Sequence, residues 1–244
     1  MADHKVVLIT GAAHRIGAVT ARYLHEAGFN IILHYLSSRS PAQALQKELN
    51  GKRENSVVLV QADLLANNAL NALAKEAYNA WQRLDVLINN ASTFYRTPIG
   101  SANDQHWDDL FGTNVKAPFF LAQAAAPFLR KTHGCIINMV DIHARRPLKE
   151  YSIYSMAKAA LETMTKALAR ELGPEIRVNG VSPGAILWPD NLDEVTKQRI
   201  VSKTFLKRKG EPEDIAKAIR FIIEDAPYMT GQILSIDGGR SLSG

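Results

Sequence analysis

Short, near-continuously apolar runs alternate with amphipathic stretches along the whole chain. Lys5–Thr10, Phe29–His34, Ser56–Val60, Asp85–Asn89, Cys135–Val140, Ile176–Val181 and Gln232–Ile236 are mostly rich in β-branched residues and show little polar alternation. That is the pattern of strands covered on both faces. Between them, Arg15–Ala27, Pro41–Asn50, Ala69–Trp81, Asp104–Leu129, Ser152–Leu172 and Glu213–Ile223 read as helices. Seven strands alternating with six helices predict an α/β fold with a doubly wound parallel sheet. Without repeats, linker tracts or composition shifts, residues 1–244 read as a single domain. The segment 188–209 carries no strand, is polar, and lies between Pro183-Gly184 and Gly210. It reads equally as a flap over a substrate site or as a surface helix with loops.

A length of 244 residues suits one core without covalent staples. Hydrophobic residues at 46% and charged residues at 22% are those of an ordinary globular protein, which excludes disordered and fibrous classes. A single cysteine, Cys135, rules out an intramolecular disulfide and a cysteine-based zinc cluster, and no metal site is expected. The net charge of +5 is spread over the chain, and its densest cluster (Lys203, Lys207, Arg208, Lys209) has no interleaved aromatics. The charge therefore fits anionic small molecules better than nucleic acid. The N-terminal MADHKVVLITG lacks the length and cleavage pattern of a signal peptide. The most apolar later stretch, Ala117–Leu129, contains Pro118, Gln123 and Pro127 and is too short to span a bilayer. A soluble, cytoplasmic protein with no membrane partner is expected.

The first strand runs into Thr10-Gly11-Ala12-Ala13-His14-Arg15-Ile16-Gly17 and then a helix. Gly11 permits a tight turn, Gly17 lets the helix pack closely on the strand, and the helix N-terminus then faces a pyrophosphate. This is the dinucleotide site of a Rossmann-type sheet. The second strand ends His34-Tyr35-Leu36-Ser37-Ser38-Arg39, without the carboxylate that holds the ribose hydroxyls in NAD-binding members of the fold. Arg15, Ser37, Ser38 and Arg39 place donors where a 2′-phosphate would lie, which predicts NADPH over NADH.

Tyr154-Ser155-Met156-Ala157-Lys158 opens a strongly helical stretch and puts Tyr154 and Lys158 on one face, a turn apart. A nearby ammonium favours phenolate, so the Tyr154 pKa is expected to fall toward working pH and make the phenol a proton donor. Asn89-Asn90-Ala91 follows the fourth strand, Asn114 lies in the next helix, Pro183-Gly184 follows the sixth strand and Asp237-Gly238-Gly239 the last.

Together these motifs, in this order and over essentially the whole chain, resemble the short-chain dehydrogenase/reductase family. The resemblance implies that Tyr154 donates the proton, and that Lys158 lowers its pKa and holds the nicotinamide ribose. It also implies that Asn114 supplies a backbone-and-water relay behind the lysine. The chain departs from the family at position 141. The usual serine, thirteen residues before the tyrosine, is Asp141. A carboxylate repels a developing alkoxide but is suited to the amino and ring N–H groups of a heterocycle.

TGAAHRIG, His34-Tyr35, QADL at Gln61–Leu64, NNASTFY at Asn89–Tyr95, NMVD at Asn138–Asp141 and YSIYSMAK at Tyr151–Lys158 are similar to the pteridine reductase branch. RVNGVSPG at Arg177–Gly184 and the C-terminal IDGGRSLSG continue the match. That likeness implies a pterin between Phe94 and the nicotinamide, with Ser92 touching substrate and cofactor and Arg15 reaching both. Tyr151, Tyr154 and Asp141 line the pterin site, and Asp63 with Leu64 holds the adenine end. Gly11, Ile16, Gly17, Tyr35, Asn90, Ala91, Pro183 and Gly184 complete the cofactor contacts. The chain lacks the long insertions of protozoan members. Arg96 replaces a common proline, and Pro183–Trp188 differs from the usual substrate loop.

The expected activity is NADPH-dependent reduction of a pterin, dihydropterin to tetrahydropterin, with oxidised pterin and folate as further candidates. The proton comes from Tyr154 beside Asp141, or through water near Arg15. A carbonyl or 3-oxoacyl reductase is the alternative enzyme, and a catalytically idle NADPH-sensing protein the alternative of another class. Family analogy gives a homotetramer with Asp104–Leu129 and Ser152–Leu172 between subunits.

Overall fold

The computed structural model describes residues 4–188 and 193–243. Seven parallel strands form one sheet in the order β3-β2-β1-β4-β5-β6-β7. They are β1 (Val6–Ile9), β2 (Asn30–Tyr35), β3 (Val57–Gln61), β4 (Val86–Asn89), β5 (Cys135–Met139), β6 (Arg177–Pro183) and β7 (Ile233–Ile236). Successive side chains of a strand point to opposite faces, so a strand covered on both sides feeds two cores. Val7 and Ile9 of β1, Ile31 and Leu33 of β2, and Ile137 of β5 enter one core. Their neighbours Val6, Leu8, Ile32 and Ile136 enter the other.

The first core is closed by α1 (Arg15–Glu26), α2 (Arg39–Lys52) and α8 (Pro212–Glu224) through residues such as Leu24, Leu45 and Ile219. The second is closed by α3 (Ala69–Asn79), α5 (Ala117–Leu129) and α6 (Ser152–Leu172) through Leu73, Leu121 and Leu161. The expected single helix over Asp104–Leu129 is instead α4 (Asp104–Phe111), a π turn over Gly112–Lys116, and α5. The widened turn carries Asn114. Its side-chain amide donates to the Leu110 carbonyl at 2.9 Å and to the Thr93 carbonyl at 3.0 Å. This tertiary demand cannot be read from the helix pattern.

Within the segment 188–209, residues 189–192 lie outside the described residues. The remainder contains the helix α7 (Glu194–Ser202), which buries no residue. Its far end is tied down, because the Phe205 and Leu206 amides donate to the Gly238 carbonyl.

Candidate active site

The strand order reverses between β2-β1 and β4-β5, and a crevice opens there at the carboxyl ends of the strands. Gly11 leaves β1 with φ +60°, and an added Cβ there would lie 3.0 Å from Ala91 Cα. At Gly17 an added Cβ would lie 2.5 Å from the Gly11 carbonyl and 2.7 Å from Asn90 Nδ2. Both glycines are therefore required by close approach. Thr10 Oγ1 accepts the Asn90 and Ala91 amides at 2.9 and 3.0 Å, and Asn90 Nδ2 donates to the Thr10 and Gly11 carbonyls at 2.8 and 3.0 Å. The Asn90 side chain thus holds the turn rather than projecting from it. His34, 2% exposed, accepts the Gly11 amide on Nδ1 at 3.2 Å, which leaves Nε2 to donate to the Ala62 carbonyl at 3.0 Å. Burial holds its pKa below the ordinary value and keeps the ring neutral. Neither Thr10 nor His34 is given a role by sequence reasoning.

Helix α1 begins beside this turn with no side-chain cap and no acidic residue in its first turn. Its first amides and dipole are left for an anion. Arg15 occupies the left-handed region at φ +51°, a conformation that strains a side-chain-bearing residue, and its Nη2 donates to the Trp188 carbonyl at 3.3 Å. Ser37 and Arg39 are exposed at the end of β2, and Ser38, the residue before α2, makes no side-chain cap bond. The Tyr35 ring is 6% exposed and packs in the first core. Ile16 packs partly against the first core and Leu64 against the second. Asp63 is exposed and accepts the Leu65 amide at 2.9 Å. The Gly184 amide donates to the Ile236 carbonyl, and a Cβ at Gly184 would lie 2.6 Å from Asp237 Cα. Pro183-Gly184 is therefore pressed against the turn after β7.

On the other side of the crevice, Tyr154 and Lys158 are 4% and 3% exposed, one turn apart on α6. The Tyr154 hydroxyl donates to Asp141 Oδ2 at 2.8 Å, and Asp141 Oδ1 accepts the His143 amide at 2.8 Å. Lys158 Nζ donates to the Met139 carbonyl at 2.9 Å and lies 5.7 Å from the Tyr154 ring centre. The expected fall in the Tyr154 pKa is corrected here. Burial, then the Asp141 charge and its hydrogen bond, raise it well above 10, while the Ser92 hydroxyl works weakly against them. The phenol is held protonated. Burial lowers the Lys158 pKa from 10.5 to about 8, with the Asp141 charge opposing.

Ser92 Oγ donates to Asn114 Oδ1 at 2.6 Å, so the side chain of Asn114, fully buried, serves the Ser92-Thr93 loop. The Lys158 amine is anchored on the Met139 carbonyl. Beneath the site, Asn89 Nδ2 donates to Asn138 Oδ1, and Asn138 Nδ2 donates to Thr165 Oγ1. This buried chain ties β4, β5 and α6 together.

Phe94 stacks on Tyr151 with ring centres 4.5 Å apart and meets Tyr154 edge-on at 4.8 Å. It remains 45% exposed, so one side of an aromatic wall is open next to the Asp141–Tyr154 pair. Among the described residues no three His, Cys, Asp or Glu side chains are grouped to hold a metal ion. No described helix is long and apolar enough to cross a membrane.

Comparisons with known proteins place the chain in one family. The family model described as enoyl-(acyl carrier protein) reductase matches residues 11–241. Pteridine reductase 1 of Leishmania tarentolae is 38% identical over 280 aligned positions, covering 98% of this chain and 96% of that protein. That span exceeds 244 residues, so the protozoan protein carries segments absent here. The 3-oxoacyl-(acyl-carrier-protein) reductase of Staphylococcus aureus is 34% identical, covering 96% of this chain and 97% of its own length. An uncharacterized oxidoreductase of Methylorubrum extorquens is 31% identical over 97% of this chain and 98% of its own length. The chain is an oxidoreductase belonging to the short-chain dehydrogenase/reductase family, whose members use a nicotinamide cofactor.

Proposed function

We propose that this enzyme reduces pterins with NADPH. The observation that carries the reading is the Asp141 carboxylate seated 2.8 Å from the Tyr154 hydroxyl, where the family pattern has a serine. A carboxylate beside the phenol opposes the negative charge that develops on a ketone oxygen. It welcomes the N–H groups of a planar heterocycle, and the open side of the Phe94–Tyr151 wall offers that ring a stacking face.

The residues of the glycine turn fit a dinucleotide. The uncapped amides of α1 face the diphosphate, with Gly11 and Gly17 leaving room for close approach. Arg15, Ser37, Ser38 and Arg39 hold a 2′-phosphate where no acid ends β2, which favours NADPH. Ala91 and Pro183-Gly184 border the nicotinamide end, Asp63 and Leu64 the adenine end, and Lys158 the ribose. When bound, NADPH supplies a hydride to a carbon of a pterin C=N bond.

The chain's own groups supply the proton and the alignment. Tyr154 keeps its proton at neutral pH and donates it in a hydrogen bond to Asp141 Oδ2; with a pterin bound, the hydroxyl turns from the carboxylate to give that proton to the adjacent ring nitrogen. Transfer of that proton leaves negative charge beside Asp141, and the Lys158 ammonium offsets it. Asn114 holds Ser92, which borders both substrate and cofactor. The raised Tyr154 pKa makes the phenol a reluctant donor. That favours the water route near Arg15 for the more easily reduced dihydropterin. The stretch around α7 serves as a flap, its far end held where the Phe205 and Leu206 amides donate to the Gly238 carbonyl and its near end where Arg15 donates to the Trp188 carbonyl. The apolar residues Trp107, Phe119, Phe120 and Met156 on α4, α5 and α6 are more than a third exposed and support a homotetramer.

The test is NADPH and NADH oxidation, followed at 340 nm, with a panel of pterins, folates and ketones. NADPH turnover with dihydrobiopterin or dihydrofolate above that with ketones is expected. Turnover with a 3-oxoacyl thioester alone overturns the pterin reading.

A further inference from the structure

Arg96 follows the stacking residue Phe94 by two positions and stands at the outer rim of the same aromatic wall. The loop that carries it is locked to the start of α6 on both sides of the arginine. Phe94 stacks on Tyr151, and the amide of fully buried Thr97 donates to the Glu150 carbonyl at 2.6 Å. Glu150 adopts φ +68° to meet it, a left-handed conformation rarely taken by a side-chain-bearing residue without a compensating structural demand. Between these anchors, Arg96 Nη1 lies 3.5 Å from Glu150 Oε2, and the guanidinium also faces the Tyr151 hydroxyl. Those contacts orient the guanidinium but leave most of its five N–H donors open, and the side chain is 69% exposed. A planar fork aimed from a fixed loop is suited to a carboxylate taken bidentately.

We propose that Arg96 is a specificity-determining residue that receives the terminal carboxylate of a pterin with an anionic side chain, the folate type. The inference rests on the pterin reading of the site and adds the chemistry of the substituent. The ring sits between the wall and the nicotinamide, and its substituent leaves past Tyr151 toward Arg96.

The experiment compares kcat/KM for dihydrofolate and dihydrobiopterin in wild type, Arg96→Lys and Arg96→Met, with NADPH saturating. An exposed bidentate ion pair predicts that Arg96→Met lowers the dihydrofolate-to-dihydrobiopterin ratio about five- to tenfold. Arg96→Lys should recover part of the ratio. Raising salt should lower the wild-type ratio through KM. A ratio within twofold of wild type in Arg96→Met overturns the inference even if both activities fall together, because that result assigns Arg96 to holding the wall. A wild-type enzyme that reduces neither pterin overturns the pterin reading itself, and this inference with it.

Discussion

Tyr154 and Asp141 share a hydrogen bond of 2.8 Å, and the second oxygen of Asp141 is fixed by the His143 amide at 2.8 Å. The carboxylate is therefore aimed into the site rather than free to rotate. Replacing it by the family's usual hydroxyl tests what it is for. Asp141→Ser is expected to lower kcat/KM for pterins about 10- to 100-fold, the loss of a charge-assisted hydrogen bond. Activity on ketones should rise. Steady-state kinetics on both substrate classes checks this, and unchanged pterin activity would remove Asp141 from the site's chemistry.

Tyr154→Phe removes the proton and leaves the ring in place against Phe94. A drop in kcat of about 10²- to 10⁴-fold is expected with oxidised pterin, for a lost general acid. The same variant should retain far more of its turnover with dihydropterin if water delivers that proton. Side-by-side kcat measurements on the two oxidation states check both halves.

Lys158 gives a prediction with a definite sign. Its pKa is about 8 in the folded chain and 10.5 in its ordinary state, so between these values the unfolded chain binds more protons. Stability contributed by Lys158 therefore rises with pH from about 8 to 10.5, and below that window burying the ammonium costs the fold about 3 kcal/mol. Activity runs the other way, because the positive charge is lost as pH passes about 8. The difference in unfolding free energy between wild type and Lys158→Met, from urea melts, should move in favour of wild type across this range. Over the same range wild-type kcat/KM should fall.

The sheet was readable because its strands are buried on both faces, and continuous apolar runs such as Val6–Ile9 admit few other structures. The glycine turn and the Tyr154–Lys158 pair were also legible, since each depends on local spacing. What local spacing hides is the third partner. Lys158 is near Tyr154 in sequence and pointed to a lowered phenol pKa, but Asp141 arrives from the end of β5 and reverses the sign. The π turn at Asn114 and the core position of the Tyr35 ring are likewise set by neighbours distant in sequence. His34 and Thr10 were visible inside motifs, yet their bonds to Gly11, Asn90 and Ala91 required the assembled crevice.

Thr10 accepts two amides from the loop after β4 on one oxygen. Thr10→Val keeps the shape but leaves the Ala91 amide unpaired and the Asn90 amide with the Ile88 carbonyl alone, which is expected to destabilise the chain by about 1–3 kcal/mol. Thr10→Ser keeps the acceptor and should lose less than about 1 kcal/mol, the small term for one methyl group. Thermal unfolding separates the two variants. Equal melting temperatures would show that the Thr10 hydroxyl does not hold the crevice.

Arg39 is expected to decide which dinucleotide the crevice prefers. It stands exposed at the start of α2, directly after Ser37 and Ser38, at the end of a strand that lacks a terminal acid. Its charge and the α2 N-terminus would act together on a 2′-phosphate, whereas the two ribose hydroxyls of NADH carry no charge for them to attract. Arg39→Ala should raise KM for NADPH about tenfold while leaving the weaker NADH reaction little changed, since the lost interaction is specific to the phosphate. Arg39→Asp should go further and invert the preference, because the new carboxylate repels the phosphate and accepts the ribose hydroxyls. Fluorescence titration of both dinucleotides alongside turnover distinguishes a loss of binding from a loss of rate. An Arg39→Ala enzyme that binds NADPH as tightly as wild type would shift the 2′-phosphate to Arg15 and the serines.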